Sequence, residues 1–239
     1  MLSIIIPTLN EEKHLPDLLK SIKGQNFSDY EIIIADAGSA DRTLEVAKNS
    51  GCMISKGGLP GIGKNKGAEI ARGDVVLFVD ADVVLSENFF SKALEEFKKR
   101  NLEAASFYLQ SNSKIHNFIF SILYNFPSKI GEKILPQAMS ALMVEKRIHR
   151  KIGGFDEKIK IGEELDYVRR SKKYGNFGIL KSVRIFISSR RFQKDGWIST
   201  WLKYFLCQTH MLFFGPVRSD IFGYKFNHYK GLYKKARKN

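Results

Sequence analysis

Asp80-Ala81-Asp82 follows an uninterrupted apolar run, Val75–Val79, so two carboxylates leave a segment that a fold would bury. Crowded into a desolvated site they repel each other, and an unpaired buried ion costs on the order of several kcal/mol. A divalent cation removes the conflict. Mg²⁺ or Mn²⁺ prefers oxygen ligands and commonly takes one or two carboxylates together with substrate phosphates. A lone Asp-x-Asp is a weak signal, and its place at the end of an apolar run strengthens it. A second acidic group, Glu163, Glu164 and Asp166, opens a stretch expected to be helical as far as Tyr174 and to stop at Gly175. The positive end of a helix favours negative charge, and a carboxylate within about 2.6–3.2 Å of a hydroxyl can take its proton during attack. The same three acids could equally decorate a helix N-terminus, and spacing alone leaves both readings open. Arg190 and Arg191, after the apolar run Val183–Ile187, offer charge-assisted forks to a diphosphate, or are solvated surface charges.

Apolar runs at Leu2–Ile6, Glu31–Ala35, Cys52–Ser55 and Val75–Val79 read as strands covered on both faces, as in a parallel sheet. Between them Leu15, Leu18, Leu19 and Ile22 form one helical stripe, with Pro16 suited to a first turn. Further helices are expected at about Asp41–Lys48, at about Lys64–Ala71, and from a cap at Ser86 to near Arg100. This alternation predicts an α/β sandwich, whose ligands bind at the carboxyl ends of the strands. Polar residues gather at those ends: Pro7-Thr8-Leu9-Asn10-Glu11, Asp36 to Asp41, and Gly61-Ile62-Gly63-Lys64-Asn65 before the third helix. Asp36 to Asp41 also reads as a turn and helix cap. The glycines of GIGKNKG have GxGxxxG spacing without the downstream acid of a dinucleotide site, so NAD is discounted.

The composition narrows the classes. The 239 residues are 44% hydrophobic and 27% charged, which is globular, and only Cys52 and Cys207 are cysteines. A disulfide framework and a structural zinc site are excluded, and a reducing, cytoplasmic setting is expected. No signal-peptide pattern opens the sequence. The net charge is +14, of which residues 181–239 carry +11. That segment is also rich in aromatic residues, and it points to a phosphate-bearing partner: nucleic acid, anionic lipid or a diphosphate. Ile115–Ser128 and Tyr204–Val217 are uncharged stretches of 14 residues each. They are too short for a span of about 20 residues, and read either as buried helices or as helices lying at a membrane surface.

Four blocks, SIIIPTLNEE, EIIIADAGSADRT, GKNKGAEIARGDVVLFVDADV and GGFDEKIKIGEELDYVRRSKKYG, together resemble the family 2 inverting glycosyltransferases of GT-A fold, over about residues 1–190. The resemblance implies a mostly parallel central sheet with helices on both faces; the basic, aromatic tail beyond it has no firm fold reading, with helices as the expectation. It implies a hexosyl-type transferase that moves a sugar from a nucleotide-diphosphate donor to a hydroxyl or phosphate acceptor, lipid-linked in one reading. By position, Pro7, Thr8, Asn10 and Glu11 would hold the nucleoside, Asp36 the base, and Lys64 would lie near the nucleotide. Asp80 would be the ribose or metal-proximal acid and Asp82 the direct ligand of Mg²⁺ or Mn²⁺, with His210 as a candidate third ligand. Glu164 would be the general base, with Glu163 and Asp166 as alternatives. Ala37 stands for a frequent Asp, Glu164 for a commoner Asp, and Lys64 for a frequent Arg, which grips a carboxylate or phosphate bidentately where Lys cannot. The expected organisation is a nucleotide-sugar half over 1–110, an acceptor half with the base over 111–190, and an extension over 191–239 associated with the inner membrane face. A nucleic-acid binder would leave the acids without purpose. A nucleotidyltransferase would want a glycine-rich basic loop where Pro7 to Glu12 stand.

Overall fold

The computed structural model describes residues 1–111, 113–188 and 196–219. An eight-stranded sheet runs through them in the order β3-β2-β1-β4-β7-β6-β8-β5. Its strands are β1 Leu2–Thr8, β2 Tyr30–Asp36, β3 Met53–Lys56, β4 Val75–Val79, β5 Val83–Leu85, β6 Ala104–Gln110, β7 Ala141–Glu145 and β8 Phe177–Ile187. Strands β1, β2, β3 and β4 are mutually parallel, β6 is parallel to β8, and β5 and β7 run antiparallel to their neighbours. The first four strands are those the apolar runs predict.

Side chains alternate across a strand, and the unbroken isoleucines therefore supply two cores. Ile4, Ile6, Ile34, Leu77 and Val79 pack on one face, while Ile5, Ile33, Val76 and Phe78 pack on the other. Each such side chain contributes roughly 1.5–3 kcal/mol when fully buried. Helix α1, Leu15–Lys23, buries the predicted Leu15, Leu18, Leu19 and Ile22 stripe. Helix α2 spans Thr43–Asn49, after Asp41 has accepted the Thr43 N–H at 3.0 Å. The register Thr8↔Asp36 and Ile5↔Phe78 brings the ends of β1, β2 and β4 to one rim, which gathers the acidic strand ends.

Three boundaries differ from expectation. Helix α3 is Pro60–Ile70, not Lys64–Ala71, because Pro60 sits in its first turn and starts it early. Helix α4 is Phe89–Lys99, and Ser86 does not cap it. Ser86 Oγ accepts the Arg184 N–H at 3.2 Å, and Gln25 Oε1 accepts the first helical N–H, from Phe89, at 2.6 Å. The helix opened by Glu163, α8, ends at Ser171 rather than Tyr174. Residues 114–131 form α5, Lys114–Phe120, a π-helical turn, Ser121–Asn125, and α6, Phe126–Gly131. After α7, Lys146–Lys151, and α8, the last described helix is α9, Trp197–Phe213. Among the described residues no helix is long and apolar enough to cross a membrane.

Candidate active site

The loops after β1 and β2 are clasped together. Asp36 Oδ1 accepts from Thr8 Oγ1 at 3.0 Å and Ser39 Oγ at 2.6 Å, while Oδ2 accepts the N–H groups of Gly38 and Ser39. Gly38 turns there at φ +93°, a conformation side chains resist. Asn10 is left-handed at φ +56°, gives its N–H to Ser39 Oγ at 2.9 Å and accepts the Ala40 N–H at 2.8 Å. The Glu11 N–H is taken by Thr43 Oγ1 at 2.8 Å. Asp36, Thr8 and Glu11 are buried and Asn10 is exposed, so this rim is preorganised by its own side chains.

The neighbouring hollow is lined by Pro7, Glu11, Asp80, Asp82, Glu163 and Glu164, together with Tyr124 and Ser140. Behind two of its lining acids Lys64 is buried, 1% exposed, its ammonium 2.6 Å from Glu164 Oε1 and 3.1 Å from Glu163 Oε1. Burial alone would push that amine down, but Glu164, Glu163 and Asp80 hold it well above the ordinary lysine range. Asp80 keeps part of its surface towards the hollow, with protein closed round its other sides. Burial, with Glu164, Asp82 and Glu163 adding to it against the pull of Lys64, pushes its carboxyl up to about 7. Three carboxylates, Glu164, Glu163 and Asp80, act on one ammonium, and Asp82 adds a fourth negative charge to the hollow. The donors are all hard oxygens, as a divalent cation requires. Among the described residues no three His, Cys, Asp or Glu side chains could hold an ion by themselves, so phosphate oxygens would complete its coordination.

One residue of the 137–144 segment, which the sequence suggests should bridge Asp80-Ala81-Asp82 and the base, links the acidic clusters. Ser140, left-handed at φ +62°, accepts the Asp80 N–H on its carbonyl at 2.9 Å and gives its own N–H to Glu164 Oε2 at 3.1 Å. Nothing in the residue type announces this; the antiparallel β7, which enters the sheet beside β4, delivers it. Tyr204, Cys207 and Gln208 of α9 also line the hollow. They come from the part of the sequence without a firm fold reading.

Other expected residues fall elsewhere. Asp166 lies on the flank of α8, bound to Arg170 Nε at 2.7 Å and not part of the hollow's lining, so it drops out as an alternative base. His210 holds Gly215 O at 3.0 Å through Nδ1, packs on Phe214, and is not part of that lining either. It is no third ligand in this arrangement. Lys64 faces the acids of α8, with its ammonium 5.2 Å from the Phe155 ring centre. Arg190 and Arg191 lie outside the described residues.

The family description Glycosyl transferase family 2 matches residues 3–143, more than half of the chain. The chain belongs to glycosyl transferase family 2. This family 2 chain is 38% identical over 102 residues to 4,4'-diaponeurosporenoate glycosyltransferase of Staphylococcus haemolyticus, covering 39% of the chain and 27% of that protein. It is 32% identical over 124 residues to the uncharacterized glycosyltransferase EpsJ of Bacillus subtilis, covering 48% and 36%. It therefore spans about a third or less of the length of these relatives. Among solved structures, residues 1–349 of Staphylococcus aureus TarS superpose with TM-score 0.65 at 20% identity, over 89% of this chain and 72% of that one. The Pyrobaculum calidifontis mannosyltransferase PcManGT, in complex with GDP-Man and Mn²⁺, gives TM-score 0.67 at 16% identity, over 87% and 62%. These likenesses show the GT-A fold of the family 2 chain.

Proposed function

We propose that this chain transfers a sugar from a nucleotide-diphosphate donor to a hydroxyl or phosphate acceptor by one inverting displacement. The observation that carries this is the single hollow in which Asp80 and Asp82 face Glu163 and Glu164. TarS has been solved with UDP-GlcNAc and PcManGT with GDP-Man and Mn²⁺, which supports a nucleotide-sugar donor and a divalent ion. Asp82, with Asp80 beside it, is the holder of that ion; when bound, it would offset the charge gathering on the departing diphosphate. Pro7, Thr8, Asn10, Glu11 and Asp36 form the nucleoside rim.

Glu164 is the base. The acceptor oxygen forms its bond to the anomeric carbon while its proton passes to Glu164. The bond from that carbon to the diphosphate oxygen breaks, and the nucleoside diphosphate leaves with the electron pair. Lys64 and the Ser140 N–H fix the carboxylate in one orientation. Glu163 shares the same ammonium and is the alternative base.

A thermal-shift screen with UDP, GDP, CDP and dTDP sugars, with and without Mn²⁺ or Mg²⁺, tests the reading. One nucleotide class should raise the melting temperature, in a metal-dependent way that Asp82→Ala removes. No shift with any of them would overturn the proposal.

A further inference from the structure

Two adjoining helical segments carry an apolar face that no described residue covers. Along residues 114–131, Ile115, Phe118, Ile122, Phe126 and Ile130 recur at intervals of three and four, a single helical stripe, and are 49% to 71% exposed. On α9, Ile198, Leu202 and Phe205 follow the same intervals and Phe213 lies eight residues further on; they are 54% to 86% exposed. The opposite sides of both segments are apolar as well and lock into each other. The His116 and Trp197 ring centres lie 4.2 Å apart, and those of Phe120 and Trp201 lie 6.2 Å apart. The two segments are therefore packed neighbours, each leaving an apolar stripe exposed, and exposed apolar surface of this extent marks an interaction site.

Charge selects the partner. Neither 111–131 nor 196–219 contains an Asp or Glu. Lys114 and Lys129 of the first segment are exposed, as is Lys133 beyond Glu132, which pairs with Arg100, and Lys203 is half-buried on α9. The sequence after residue 219 adds six Lys or Arg against Asp220 alone. A second copy of the chain would set lysine against lysine. An anionic lipid surface complements both the apolar stripe and its basic border, and helices too short to span a bilayer can lie within its head-group layer.

We propose that this face docks on an anionic bilayer and that the acceptor is an amphiphile drawn from it. Tyr124 of the π-helical turn and Tyr204, Cys207 and Gln208 of α9 line the hollow from the same segments. A docked chain thus holds the hollow against the head groups, while the acceptor's hydrocarbon stays in the lipid. The acceptor half of this proposal rests on the sugar-transfer reading; the docking half does not.

Flotation of the full chain with phosphatidylcholine vesicles, and with vesicles mixed with phosphatidylglycerol, tests it without donor or turnover. Binding to the mixed vesicles should exceed binding to neutral ones by about tenfold at low salt and weaken as salt rises. Phe118→Ser, Phe126→Ser and Phe205→Ser combined should cut flotation by about tenfold, leaving the circular dichroism spectrum and nucleotide-dependent melting intact. Failure to float with either vesicle, or flotation unchanged by the triple substitution, would overturn the docking. So would sedimentation showing a dimer that the substitutions dissociate. Any of these would leave sugar transfer standing, and a failed nucleotide screen would leave docking standing.

Discussion

The least expected side chain is Lys64, because a lysine buried to this degree must be matched in charge on the spot. Its matches are Glu163 and Glu164, close to a hundred residues away in sequence. Lys64→Met leaves these acids and Asp80 crowded without a counter-charge. It should lower the unfolding free energy by about 3–5 kcal/mol in a urea titration. Glu164→Gln keeps the shape and removes the proposed proton acceptor. It should slow release of nucleoside diphosphate in the presence of acceptor by about 10²–10⁴-fold while the donor still raises the melting temperature. A larger loss from Glu163→Gln would exchange the two roles. His149 makes a separate prediction. It is buried against Phe78 and Phe155 with Nδ1 2.9 Å from the Tyr167 hydroxyl. Burial, helped by Arg170, Lys146 and Arg150, pushes its ring down to about 4 from the usual 6.5. Between those values the unfolded chain binds a proton that the native chain refuses, so stability falls as pH falls. Relative to His149→Gln, the wild type should lose about 1.4 kcal/mol per pH unit below pH 6.5, read from urea midpoints between pH 7 and 5.

At the scale of elements, α3 lies close on β1. A Cβ on Gly67 would fall on Ile5 Cγ2, and Ile5 is wholly buried. Gly67→Ala gains helix propensity, yet overpacking should win and destabilise by about 1–3 kcal/mol, seen as an earlier urea midpoint. The elements legible in the sequence are those whose pattern is local: the isoleucine runs of β1 and β2, the leucine stripe of α1, and the acidic residues after β4. Edge strand β3 came one residue late and is largely exposed, because it pairs only with β2. Strand β7 has an ordinary composition, and its role comes from where the sheet inserts it. The cap of α4 failed because Gln25, more than sixty residues upstream, meets its first N–H. Asp166 shares the helix of Glu163 and Glu164, but its carboxylate is taken by Arg170 one turn further on. The rim residues were legible as a set of polar strand ends; the mutual bonding of Asn10, Asp36 and Ser39 was not, because it depends on the Thr8↔Asp36 register.

For the molecule as a whole, binding at the hollow should appear as global stabilisation. The hollow joins β1, β4, the loop before β7, α8 and α9, so a bound ligand restrains both ends of the sequence order at once. A nucleotide sugar with its metal at a hundred times its Kd should add about 2.7 kcal/mol, roughly 5 to 10 °C in Tm for a chain of this size. Helix α9 matters here because Cys207 and Met211 pack on Ile161 and Leu165, at the start of α8, and Arg169 Nη1 donates to Met211 O at 3.2 Å. What touches the outer face of α9 is therefore two contacts from Glu164. The peptide group of Ser140 has a different consequence. Its carbonyl accepts the backbone amide of Asp80 and its own amide donates to the Glu164 carboxylate, so a shift of the peptide ahead of β7 moves both together. The acid that would take the proton and the strand end that would hold the ion are thereby tied through the backbone of one residue.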